Sequence, residues 1–112
     1  MKRSPIAPMS AKRRAALPAR AEVRETVLER DEYRCQFWTR VYASGKPVPL
    51  DAPIACGGPL DVHEIIPRSA WPDGWLVVDN CVTLCRRAHE WVTDNPAAAA
   101  VYGLHDFSWN RP

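Results

Sequence analysis

The stretch from Leu60 to Thr93 constrains this chain most. Leu60 to Ile66 alternates well enough for a strand, and Pro67, which cannot donate to a sheet ladder, stops it. Residues 67–79, PRSAWPDGWLVVD, carry a Pro-Asp-Gly turn and two tryptophans and read as a loop. Val82 to Leu84 forms a second short strand, and a helix follows from about Cys85 to Thr93. The order is strand, loop, strand, helix. A helix laid across a hairpin brings side chains from distant segments to one point. The residues placed to meet there are His63 and Glu64 at the first strand's end, Asn80 before the second strand, and His89 on the helix.

A chain of 112 residues makes one domain at most, and domains this small often lean on a metal or on disulfides. Four cysteines, Cys35, Cys56, Cys81 and Cys85, could serve either purpose. No apolar run approaches the roughly 18 residues that span a bilayer, and the N-terminus lacks the apolar core of a signal peptide. The expectation is a soluble, cytoplasmic protein with no membrane partner, whose thiols are metal ligands or core residues.

The net charge of +2 is unevenly spread. Lys2, Arg3, Lys12, Arg13, Arg14 and Arg20 give residues 1–20 a charge of +6, and the other nine basic and thirteen acidic residues give the remainder −4. Residues 1–20 read as a disordered basic arm and residues 21–112 as the folded domain. Such an arm suits phosphate binding by counterion release, with a solubilising tail as the alternative. AEVRETVLER, from Ala21 to Arg30, is a short amphipathic helix with Val23, Val27 and Leu28 on one face. Residues 36–55 read as a long loop or irregular hairpin. Asn95 and Pro96 open a last short helix as N-cap and first helical residue, and Gly103 closes it. Phe107 or Trp109 then packs back on the body.

Three segments in order, VLERDEYRCQ, CGGPLDVHEIIPRS and DNCVTLCRRAH, resemble the HNH endonucleases, the ββα-metal or His-Me finger nucleases, over about residues 23–93. Short phage and actinobacterial members begin with a similar MKRSP-type arm. The resemblance implies an α+β fold, a small ββα-metal domain with flanking helices and a zinc-knuckle-like scaffold. It implies a hydrolase that nicks or cuts DNA with a divalent metal ion, Mg, Mn, Ni or Zn. Such chemistry needs a cation to stabilise the leaving oxygen and a base to take a proton from water. The resemblance places His63 and His89 on the catalytic metal, and gives Asn80 the task of holding the loop and orienting the base. Arg68, after the strand, joins Lys2, Arg3, Lys12, Arg13 and Arg14 as a candidate for DNA phosphates, while Arg86 and Arg87 are either phosphate contacts or a solvated helix face. A phage terminase large subunit as partner, restriction and homing are all compatible with the family.

The chain departs from the family pattern twice. Glu64 stands where the general-base histidine is usual. Either Glu64 is the base, or His63 is the base and Glu64 a ligand, or turnover is lost and a non-catalytic nucleic-acid-binding module remains. Cys35 and Cys56 match the first cysteine knuckle if residues 36–55 are an insertion, and Cys85 opens the second, but the partner position is Ala88. Three ligands remain where structural zinc takes four. Cys81 is then either the fourth ligand or a buried thiol. The alternative is a zinc-free scaffold packed by Trp38, Trp71, Trp75 and Trp91.

Two zinc-enzyme readings fail. His63-Glu64 and His89-Glu90 would need a second histidine four residues after the first, where Pro67 and Thr93 stand. The His-x-Glu and Pro-Cys-x-x-Cys elements of zinc deaminases are absent.

Overall fold

The computed structural model describes residues 10–53 and 55–107. It is an α+β domain in the order α1 (Ala11–Arg30), α2 (Phe37–Ala43), β1 (Leu60–Glu64), β2 (Cys81–Cys85), α3 (Arg86–Asp94) and α4 (Pro96–Ala100). The two strands pair antiparallel, with Leu60 opposite Cys85, His63 opposite Val82 and Glu64 opposite Cys81. The helix and strand expected between Leu60 and Thr93 are all present, each within a residue or two of its expected bounds.

The basic arm needs correction. Residues 11–20 are helical, so α1 begins ten residues before Ala21; Lys2 and Arg3 lie outside the described residues. Ser10 caps the helix, its hydroxyl accepting from the Arg13 amide at 3.1 Å. Pro18 within α1 removes one helical hydrogen bond and would ordinarily disfavour the helix by about 3 kcal/mol. Tertiary contacts offset this. Arg20 donates to the carbonyls of Trp75 at 2.6 Å and Val62 at 3.3 Å, and the Arg13 guanidinium lies 5.6 Å from the Trp75 ring centroid. At the other end Val27 and Leu28 bury against Val62 and Cys81. Arg30 donates to the Cys81 carbonyl at 2.7 Å, and the Asp31 carboxylate accepts from the Thr83 amide at 2.9 Å. These bonds fix α1 across one face of the hairpin.

The other face carries the main core. Phe37, Val41, Val82, Leu84, Trp91, Val92 and Leu104 pack there, so every residue of β2 is buried. The loop expected over residues 36–55 is corrected by α2, whose Phe37 and Val41 stand one turn apart and both enter this core. Phe37 meets Trp38 and Trp91 edge-on at 5.1 and 5.4 Å. At the C-terminal end Asn95 does not cap α4 with its side chain, but donates back to the Trp91 carbonyl at 2.9 Å. Leu104 fills the core, while Phe107 is half exposed and Trp109 lies outside the described residues. No helix among the described residues is long and apolar enough to cross a membrane.

Candidate functional sites: a histidine groove and a cysteine cluster

The hairpin end and α3 enclose an open groove of about 290 Å³ lined by His63, Glu64, Pro67, Arg68, His89 and Thr93. The rings of His63 and His89 meet there with centroids 5.2 Å apart and planes at 66°. His63 is buried and its Nε2–H donates to the Leu104 carbonyl at 2.7 Å. Burial pushes its pKa down to about 4, against the pull of that carbonyl, with His89 adding to the depression. The imidazole is therefore neutral at pH 7 and keeps its Nδ1 lone pair. His89 Nδ1–H donates to the Asp61 carboxylate at 3.0 Å, which leaves Nε2 as the nitrogen that Asp61 does not engage. Arg86, bonded to Asp61 at 2.7 and 3.0 Å, holds that carboxyl below the usual carboxylate range, with burial opposing and His89 assisting.

Each ring is thus oriented through one nitrogen by an acceptor, which leaves His63 Nδ1 and His89 Nε2 as the nitrogens not so engaged; orientation of this kind is found in metal-ligating histidines. Asp61 was not singled out from the sequence. Its two-residue spacing from His63 on one strand was the available signal, since alternate residues share a face.

Asn80 is buried and fully used. Its Oδ1 accepts from the Ile66 amide at 2.9 Å, and its Nδ2 donates to the carbonyls of Ile66 at 3.1 Å and Gly74 at 3.2 Å. It fastens the end of β1 to the following loop. Glu64 is engaged by Arg68 through three contacts of 3.0 to 3.2 Å and lies 4.0 Å from Arg20. Arg68 also lies over the Trp75 ring at 4.7 Å.

The second centre lies at the other end of the hairpin. The ligand atoms of Cys35, Cys56 and Cys85 all lie within 4.8 Å of one another, close enough to hold a metal ion. Among the described residues no other trio of potential ligand residues is gathered this tightly. Cys35 follows the turn after α1, Cys56 opens the Cys-Gly-Gly-Pro turn, and Cys85 joins β2 to α3. That turn docks on α3 through Arg86 N–Pro59 O at 2.8 Å and Arg87 N–Gly57 O at 3.1 Å. Gly58 has φ +83°, and a Cβ there would meet the Arg86 Cβ at 2.7 Å, so only glycine permits this approach. The Cys85 sulfur accepts from the amides of Gly57 and Ala88, each at 3.4 Å. Burial disfavours its thiolate, but these amides and the neighbouring thiols outweigh burial and lower its pKa. Burial, then its sulfur neighbours, push Cys56 up to about 12. Cys81 stands apart, fully buried with Arg20 Nη1 3.7 Å from its sulfur, so it is a core thiol and not a fourth ligand.

Of the basic candidates, Lys12 and Arg13 are exposed at the start of α1 and border a second groove of about 270 Å³ together with Arg68 and Trp75. Arg14 is exposed on the same turn. Arg86 is paired with Asp61, and Arg87 donates to the Ala55 carbonyl at 3.4 Å. Comparison with protein families, curated proteins and solved structures finds no match to this chain.

Proposed function

We propose that the histidine groove is the active site of an HNH-type endonuclease, a ββα-metal domain that hydrolyses DNA phosphodiester bonds with a divalent cation. The observation that carries this reading is the 5.2 Å approach of the His63 and His89 rings, each oriented through one nitrogen. His63 Nδ1 and His89 Nε2 are the nitrogens that would hold the cation. Bound there, a divalent ion supplies charge stabilisation to the phosphate and the departing oxygen. Glu64, on the groove rim, takes the proton from the attacking water. His63 is not free for this task, because its Nε2 is bonded to the Leu104 carbonyl and its Nδ1 is the nitrogen offered to the cation. Arg68 shields Glu64 in the resting protein. A phosphate entering the groove competes for the same guanidinium, and its transfer uncovers the carboxylate. Asn80 keeps the strand end in place for both residues. Lys12, Arg13 and Arg14 extend the phosphate-binding surface along α1, and Cys35, Cys56 and Cys85 bind structural zinc. A phage terminase large subunit is the protein partner to which the sequence resemblance points.

The engagement of Glu64 by Arg68 favours a second reading, a nucleic-acid-binding module without turnover. Nicking of supercoiled plasmid with Mg²⁺, Mn²⁺ or Ni²⁺ separates the two. A nuclease nicks only with metal, and His63→Ala, His89→Ala and Glu64→Gln each lower the rate by about a hundredfold or more while plasmid binding persists. Binding without nicking in any of the three metals refutes the enzyme and supports the module.

A further inference from the structure

We propose that Cys35, Cys56 and Cys85 hold a zinc-class divalent cation as a three-thiolate centre whose fourth ligand comes from outside the chain, as water or a small thiol. The inference rests on the metal reading of the cysteine cluster given above. Thiolates around tetrahedral zinc, each about 2.3 Å from the metal, stand roughly 3.8 Å from one another. The sulfurs here already lie within 4.8 Å. The Cys85 sulfur has the surroundings of a ligating thiolate, with the amides of Gly57 and Ala88 each donating to it at 3.4 Å. Amide donors aimed at sulfur stabilise thiolate, whereas a packing thiol needs none.

Among the described residues no fourth donor joins the cluster. Ala88, three residues beyond Cys85, is where a second knuckle cysteine would stand; it is buried in the core and has nothing to coordinate with. Cys81 is buried on the α1 side of the sheet, against Val27, Leu28 and Val62. No other His, Cys, Asp or Glu among the described residues joins the group. Cys56 is exposed, so the cluster reaches solvent. A zinc ion with three protein ligands keeps one position for an exchangeable ligand. The centre is then built like a structural site but open to external thiols, which distinguishes it from a closed four-cysteine knuckle.

The test uses the full chain, loaded with zinc for X-ray absorption and with cobalt(II) as a visible reporter. The zinc form should show three sulfurs and one oxygen or nitrogen, and 2-mercaptoethanol should shift the cobalt spectrum. Ala88→Cys should supply the fourth sulfur, abolish that shift, and tighten zinc roughly tenfold or more against a chromophoric chelator. Cys56→Ser, at the exposed position, should weaken zinc by a similar factor while the chain stays folded. Four sulfurs in the wild type before any thiol is added, or a thiol response that persists in Ala88→Cys, overturns the external ligand and leaves the metal site standing. A wild type that retains no zinc overturns both. Plasmid nicking on the same samples reports separately on the histidine groove.

Discussion

Removing the Asn80 side chain tests the architecture of the histidine groove most directly. Asn80→Ala deletes three hydrogen bonds and strands the Ile66 amide and the Ile66 carbonyl around a buried position, while the Gly74 carbonyl keeps the Val77 amide at 3.2 Å. Each buried polar group left without a partner costs about 1–3 kcal/mol, and water entering the space recovers part of it, so the net loss should be about 3 kcal/mol. That is a large share of the roughly 5–15 kcal/mol holding such a domain together, equivalent to a fall in Tm on the order of 15 °C. Gly74→Ala strikes the same node from the other side. Its Cβ would stand 2.7 Å from Asn80 Nδ2 and 3.1 Å from the Trp71 ring, so the amide must move and its bonds weaken. Because both substitutions disrupt one set of bonds, the double variant should lose less than the two single losses together. Urea denaturation followed by tryptophan fluorescence measures all three. A loss below about 0.5 kcal/mol for Asn80→Ala, or full additivity of the pair, would refute the role given to this residue.

Three further outcomes follow from the geometry. Asp61→Asn should leave stability within about 1 kcal/mol, since the ion pair it removes is solvent-accessible, yet lower metal-dependent nicking by about 10–100-fold because His89 loses the carboxylate that orients it; an unchanged nicking rate counts against that orientation. Folded His63 takes a proton only near pH 4 whereas an unfolded histidine does so near 6.5, so the unfolded chain binds more protons between these values. Stability should therefore fall by about 3 kcal/mol as pH drops through this window, and His63→Gln should flatten the decline in a series of urea midpoints. Lys12→Gln with Arg13→Gln should reduce the slope of log affinity for duplex DNA against log salt by about 2, while Arg34→Gln with Lys46→Gln, equally charged and away from the groove, leaves it unchanged; equal effects from the two pairs would rule out a contact site on α1.

The hairpin and α3 were legible because their signals are local. Period-two alternation marks β1, Pro67 ends it, and the positions of His63, Asn80 and His89 follow from that register. The start of α1 was not legible. Pro18 and the absence of a buried stripe argue against a helix over residues 11–20, and only docking of Arg13 and Arg20 on Trp75 outweighs them. α2 was hidden for a similar reason, since two core residues one turn apart carry too little periodicity to announce a helix in a proline-rich segment.

The sites divide along the same line. The amino-acid order alone supplied two histidines, an asparagine between them, and four cysteines of which three fit a knuckle pattern. Which thiol stands aside was decided by packing: Cys81 and Cys85 share a face of β2 but stand at its opposite ends, so Cys81 is buried under α1 with Arg20, while Cys85, where the chain turns into α3, lies beside Cys35 and Cys56. The bond from Asp61 to His89 and the hold of Arg68 on Glu64 are likewise tertiary. Sequence fixes which donors exist, but a hydrogen bond or a ligand set needs them within a few ångströms of one another, and only the folded chain sets those distances.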